Sequence, residues 1–141
     1  MTQAFRVAGA RALGSPARQD EAWEVVLDEL RKRLPDLPLV QGGRSNGARV
    51  ACRTAEAVGA AAVVALAFPL HPPGKPERSR ADELRAAGVD VLVVNGDRDP
   101  FGVPDAADAT RLVVLPGEGH DLKRDPARVG EIVAQWITRY A

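Results

Sequence analysis

Hydrophobic and polar positions switch between two periods along this chain. After Ser15-Pro16, the apolar residues Ala22, Val25, Val26 and Leu30 recur at helical spacing as far as about Arg33. Ser15 reads as the N-cap and Pro16 as the first helical residue. The short apolar stretch Leu37–Gln41 predicts a first strand, and Ala48–Ala57 predicts a helix stopped near Gly59. Ala61–Leu66 is apolar without interruption, which marks a strand buried on both faces, as in a parallel sheet. A proline-rich loop comes next, then a short helix from about Arg80 to Ala87 closed by Gly88. Val91–Val94 and Leu112–Leu115 are the third and fourth strands. The last helix begins near Asp125-Pro126 and carries Val129, Ile132, Val133, Trp136 and Ile137 on one face. No repeat, low-complexity tract or linker interrupts the pattern. It predicts one doubly wound α/β domain spanning residues 1–141, with about four parallel strands between layers of helices in a three-layer sandwich.

Composition narrows the partners. Nineteen basic and nineteen acidic residues cancel, so no electrostatic footprint favours nucleic acid or an acidic membrane surface. No apolar run approaches the roughly 20 residues needed to span a bilayer. The N-terminus lacks a basic region followed by a long apolar core, which argues against a signal peptide. The lone Cys52 excludes an internal disulfide and suits a reducing cytoplasm. It lies seven residues beyond Ser45 and reads as a small buried apolar side chain.

The chemistry begins at Gly43-Arg44-Ser45-Asn46-Gly47, between the first strand and the second helix. A G-x-S-x-G in that context is the nucleophile elbow of serine hydrolases. The serine of such an elbow is held in a strained conformation, and small residues two positions either side let strand and helix pass closely. The turn lifts the Ser45 hydroxyl above the sheet and aims the Asn46 backbone N–H at a developing oxyanion. Taken alone the motif is common and reads equally well as an ordinary Gly/Ser turn.

Two loops further along the chain give the motif weight. Asn95-Gly96-Asp97-Arg98-Asp99-Pro100-Phe101-Gly102 comes directly after the third strand, and Pro116-Gly117-Glu118-Gly119-His120-Asp121 directly after the fourth. Catalytic crevices of open α/β sheets lie beyond the carboxyl ends of the strands, so both segments face the elbow. Asp99 is favoured over Asp97 because Pro100 and Gly102 pin the loop immediately after it, whereas Asp97 reads as a turn cap. The order Ser45, Asp99, His120 is that of α/β-hydrolase triads. In that assignment Ser45 attacks an acyl carbon, His120 accepts and returns the proton, and Asp99 fixes the imidazole tautomer.

Other motifs carry less. Phe68-Pro69-Leu70-His71-Pro72-Pro73-Gly74-Lys75 lies just past the second strand, so His71 is a candidate substrate contact, although its prolines favour a rigid surface loop over that role. Arg44 and Asn46 flank the nucleophile and join His71 as candidate oxyanion or substrate contacts. Gly74-Lys75 lacks the spacing of a phosphate loop, and Gly42–Gly47 lacks that of a dinucleotide fingerprint. His71, His120 and Cys52 have no metal-ligand spacing, so neither metal nor cofactor is expected.

Three segments fit one pattern: Gly42-Gly43-Arg44-Ser45-Asn46-Gly47-Ala48-Arg49, Phe68–Lys75 and Gly96–Gly102. Together they resemble the small α/β-hydrolases related to dienelactone hydrolase, in the group whose domain is shared with a subunit of the NSL chromatin complex and a testis-expressed protein. The resemblance runs from about Phe5 to the C-terminus. It implies a partial α/β-hydrolase fold with Ser45, Asp99 and His120 at the triad positions and gives no substrate; the triad chemistry itself points to a small-molecule acyl substrate.

The chain departs from that pattern at its front. Such hydrolases place several strands before the elbow, and a His/Gly-rich loop after an early strand supplies the second oxyanion N–H. Only 44 residues precede Ser45 here, and they contain no such loop. The chain therefore reads as the C-terminal two thirds of the family domain. Two functions are expected to compete: ester or thioester hydrolysis, and a non-catalytic hydrolase-like module with an incomplete site. The first strand would become a sheet edge, open to pairing with a second copy in a homodimer.

Overall fold

A computed structural model describes residues 14–141. The chain divides into two compact units, Met1–Leu37 and Pro38–Ala141. Within the first, helix α1 spans Pro16–Arg33. Ser15 caps it by accepting the Arg18 N–H at 3.4 Å. Pro16 occupies the first turn, where its missing N–H has no intrahelical partner to lose. Val25, Val26 and Leu30 are exposed along it.

The second unit is a four-stranded sheet of order β1-β2-β3-β4, parallel throughout. Its strands are β1 (Val40–Arg44), β2 (Ala62–Leu66), β3 (Asp90–Gly96) and β4 (Arg111–Leu115). Helix α2 (Asn46–Thr54) links β1 to β2, and the short α3 (Ala81–Arg85) links β2 to β3. A single 3₁₀ turn, Ala106–Asp108, lies between β3 and β4, and α4 (Pro126–Ile137) comes after β4. Asp125 caps α4 by accepting the Arg128 N–H at 3.0 Å, with Pro126 next in line.

Burial explains the uniform apolarity of the central strands. One sheet face presents Ala62, Val64, Leu92 and Val94 to Ile132 and Trp136 of α4. The alternate residues Val63, Ala65, Val91 and Val93 are equally buried on the other face. The four parallel strands are flanked by helices, as in a partial α/β-hydrolase fold. Helix α2 is tied to β1 by the buried Gln41, whose amide donates to the Ala51 carbonyl at 2.7 Å and to Thr54 Oγ1 at 3.2 Å. It is tied to α3 by Glu83, which takes a two-pronged bond from Arg49 at 2.7 and 2.8 Å and a third from Arg53 at 3.3 Å.

The first strand differs from its sequence expectation. It runs from Val40 to Arg44, three residues later than Leu37–Gln41, so it includes both glycines before the elbow. Pro38 has no N–H and holds Leu37 out of a ladder, which delays the start. The second helix ends at Thr54, short of Gly59, and α3 is shorter than the Arg80–Ala87 stretch. Gly59 and Gly88 still close their turns at φ 63° and 71°.

Strand β1 is at the sheet edge among the described residues. The Ser45 N–H donates to the Leu66 carbonyl, and the Leu39 carbonyl accepts from Ala61. Odd-numbered residues of β1 therefore face β2, and the backbone groups of Val40, Gly42 and Arg44 turn outward.

Candidate active site

Ser45, Asp99 and His120 come after β1, β3 and β4, so all three lie at the carboxyl edge of the sheet. The turn at Ser45 is forced. Its φ of 55° and ψ of −120° lie where residues with a Cβ are strained. Gly43 permits this geometry, since a Cβ there would lie 2.5 Å from the Gly47 carbonyl oxygen. Gly47 is different: a Cβ on it meets nothing within 4 Å. The close passage of strand and helix thus places its steric demand on one glycine of the motif and not on both. Gly43→Ala is expected to destabilise the protein by about 3 kcal/mol, through backbone displacement. Gly47→Ala should be neutral or stabilising by up to about 1 kcal/mol, because alanine favours a helix. Thermal melts of the two variants check this, and equal losses would contradict it.

His120 bridges the other two residues. Its Nε2 lies 2.8 Å from Ser45 Oγ, and its Nδ1 lies 2.8 Å from Asp99 Oδ2. A carboxylate accepts and cannot donate, so Nδ1 carries the imidazole proton and Nε2 is left to accept the serine O–H. The Asp99 side chain is fully buried, whereas that of His120 is 22% exposed. The other Asp99 oxygen, Oδ1, accepts the Phe101 N–H at 2.8 Å. The Phe101 ring lies over His120 with centroids 4.3 Å apart and planes tilted by 31°.

The loop bearing His120 is fixed independently. The buried Glu118 carboxylate accepts the N–H groups of Arg124 at 3.3 Å and Asp125 at 2.8 Å, and its carbonyl accepts the Arg98 N–H at 3.0 Å. Asp97 does not cap its own turn. Its Oδ1 accepts the Gly117 N–H at 2.7 Å and so joins the loops after β3 and β4.

The whole-chain pattern agrees with this geometry. Residues 2–139 match the family model described as an alpha/beta hydrolase domain. The chain belongs to that family. No curated protein matches it significantly. Solved structures of alpha/beta hydrolases share its fold at low identity. An α/β serine hydrolase without a lid from Xanthomonas campestris superposes with a TM-score of 0.69 at 21% identity, covering 93% of this chain and 61% of that one. The esterase domain of a Rhodothermus marinus protein gives 0.62 at 20% identity, covering 79% and 65%. A monoacylglycerol lipase from Paleococcus ferrophilus gives 0.68 at 12% identity, covering 86% and 76%. This alpha/beta hydrolase chain thus spans less than two thirds of the length of the first two.

The remaining candidate residues fall into separate places. Asn46 opens α2 immediately after the nucleophile. Arg44 ends β1 and is exposed. His71 touches none of Ser45, Asp99 and His120 through a hydrogen bond. Its Nδ1 sits 2.9 Å from the Pro72 carbonyl oxygen, and its backbone N–H donates to the Phe101 carbonyl. Cys52 is wholly buried, and burial reinforced by the Glu83 carboxylate pushes its thiol up to about 12. Among the described residues, no helix is long and apolar enough to cross a membrane.

Asn95, Glu118 and Phe101 support the site; they lie in the loop segments singled out in the sequence, but without an expected role. Asn95 carries a signal all the same. An amide at the end of the apolar run Val91–Val94 must find partners once buried. Its Oδ1 accepts the Phe68 N–H at 2.9 Å, and its Nδ2 donates to the Gly102 carbonyl at 3.1 Å and reaches Asp99 Oδ2 at 3.5 Å. A depression of about 520 Å³ opens at the opposite sheet end, beside Asp90 and Thr110, and shares no residue with this cluster.

Proposed function

We propose that this alpha/beta hydrolase is a serine esterase or thioesterase that hydrolyses a small acyl substrate through Ser45, His120 and Asp99. The observation that carries the reading is the continuous hydrogen-bonded line from Ser45 Oγ through both His120 nitrogens to a buried carboxylate, 2.8 Å at each step. Ser45 Oγ attacks the acyl carbon while Nε2 takes its proton. The Asn46 N–H faces the oxyanion that forms. His120 then protonates the departing alkoxide or thiolate. In the second half it deprotonates the water that releases the acid and returns the proton to Ser45. Asp99 remains ionised and holds the imidazolium. This chemistry needs no metal or cofactor. Arg44, exposed beside the elbow, is assigned to substrate contact, and His71 to the scaffold of the loop it braces. The motifs at Phe68–Lys75 and Gly96–Gly102 support membership of the dienelactone-hydrolase-like group. The free, buried Cys52 supports a reducing, cytoplasmic location.

The test is hydrolysis of p-nitrophenyl acetate and an acetyl thioester by the purified chain. Turnover that stops on fluorophosphonate labelling of Ser45 supports the reading. A second reading, a non-catalytic hydrolase-like module, is favoured by one observation: the chain spans only 61% of the lidless serine hydrolase. A site with one oxyanion donor is slower by roughly 2.7–4 kcal/mol in barrier height than a site with two. A chain with a single donor would therefore label slowly. Absence of both labelling and turnover would favour the module.

The outward backbone groups of Val40, Gly42 and Arg44 bear on partners. They are symmetric about Gly42, so two copies of β1 can pair antiparallel with Gly42 opposite Gly42. We expect concentration-dependent dimerisation, read by light scattering across a dilution series. A monomer at every concentration would rule this pairing out.

A further inference from the structure

We infer that Phe101 is a positioning residue for the His120–Asp99 pair, holding the carboxylate with its backbone and the imidazole with its ring. The inference rests on the serine-hydrolase reading and adds a residue to its machinery. The two halves of Phe101 act on different partners. Its N–H bonds Asp99 Oδ1 at 2.8 Å, which leaves Oδ2 as the oxygen presented to His120. Its ring covers one face of the imidazole at 4.3 Å. That face is where water would otherwise approach the Nδ1–H···Oδ2 bond. It is also the surface across which the imidazole would swing to break both its hydrogen bonds.

The residue is itself clamped from two sides. Its carbonyl accepts the His71 N–H at 3.0 Å, which anchors it to the loop after β2. The next residue, Gly102, is held by its carbonyl to the fully buried Asn95 and by its N–H to the Asp99 carbonyl. Gly102 adopts φ +85°, and a Cβ there would lie 2.5 Å from His71 Nε2, so this turn packs closely on His71 only with glycine at 102. Hydrogen bonds to separate segments thus hold the backbone that carries this half-buried ring. An aromatic face favours a cation over a neutral partner. The imidazole is cationic only after it has taken the Ser45 proton. The ring therefore stabilises the charged intermediate more than the free enzyme, and its loss should appear in kcat and not in KM.

The test uses the full chain with p-nitrophenyl acetate as probe and compares Phe101→Leu, Phe101→Met and Phe101→Tyr. All keep the backbone N–H, and only the last keeps an aromatic face. Both aliphatic variants are expected to lower kcat about tenfold with KM within twofold, and the tyrosine variant to stay within threefold of the parent. A raised KM with unchanged kcat would make the ring a substrate contact and overturn the inference. So would equal activity in all four proteins, or an equal loss in Phe101→Tyr. A second readout does not depend on turnover. The hydrogen-bonded His120 Nδ1–H should give a far-downfield proton resonance in the parent and in Ser45→Ala. It should broaden into solvent exchange in Phe101→Leu and Phe101→Met. If the parent shows the resonance but no hydrolysis, the hydrolase reading fails while the positioning role stands. If the resonance is unaffected by removing the aromatic ring, the positioning role fails.

Discussion

Ser45→Ala will abolish fluorophosphonate labelling, and His120→Ala will slow it by a factor on the order of 10⁴. The first loss is stoichiometric, because no other hydroxyl lies at the elbow. The second comes from activation. A serine hydroxyl is a weak nucleophile at neutral pH, and in the proposed mechanism the Nε2 lone pair 2.8 Å from Oγ is the base that removes its proton. Stability separates chemistry from fold in the same experiment. Ser45→Ala keeps a Cβ and so keeps the strain at φ 55°. Ser45→Gly releases it, and should be more stable than Ser45→Ala by about 1 kcal/mol after the entropic cost of glycine is deducted. Identical labelling of parent and Ser45→Ala would remove the elbow from the mechanism. A Ser45→Gly variant less stable than Ser45→Ala would mean that the strain there is smaller than the entropic cost of glycine.

Features set by local chemistry are legible in the chain. The caps at Ser15 and Asp125 are such features, since each side chain bonds an N–H three residues on, and the proline beside it fits the first turn. The apolar run before Asn95 likewise marks a central strand, because both its faces are covered. Strand β1 is displaced from its expected place because its ladder includes Gly42 and Gly43, poor strand formers in isolation. They belong to it for a tertiary reason: Gly43 lies against the start of α2, and a Cβ on Gly42 would lie 2.7 Å from the Val64 carbonyl oxygen.

The site divides along the same line. Ser45, Asp99 and His120 stand out because each comes after a strand end, and strand ends are visible as the limits of apolar runs. The residues that hold them do not stand out. Asn95 reaches Phe68 across 27 residues of chain, and Phe101 reaches His120 from a separate loop. Glu118 looks like one more acidic loop residue, yet it is buried and bonded to two backbone N–H groups. Such partners become visible only when the register of β3 and β4 is known, because that register sets which loops meet.

Asp99→Asn should lower kcat by about 10⁴ and leave the fold and KM almost unchanged, as expected when the wrong imidazole tautomer is imposed. The hydrogen-bond pattern dictates the tautomer. The Phe101 N–H must find an acceptor at the Oδ1 position, so the asparagine carbonyl oxygen will take that place. Its NH₂ is then turned toward His120 Nδ1, where Oδ2 had been. A donor facing Nδ1 requires that nitrogen to be unprotonated, which moves the imidazole proton to Nε2. There it points at Ser45 Oγ as a donor, and the base that should accept the serine proton no longer exists. The side chain of Asp99 is fully buried, so water cannot rescue the arrangement. Asp97→Asn is the control. Among the described residues the Asp97 side chain accepts the Gly117 N–H, a role an amide oxygen can keep, and the variant's kcat should stay within a few-fold of the parent. Comparable losses in the two variants would show that the carboxylates act through loop structure alone, and that the Asp99–His120 bond does not orient the base.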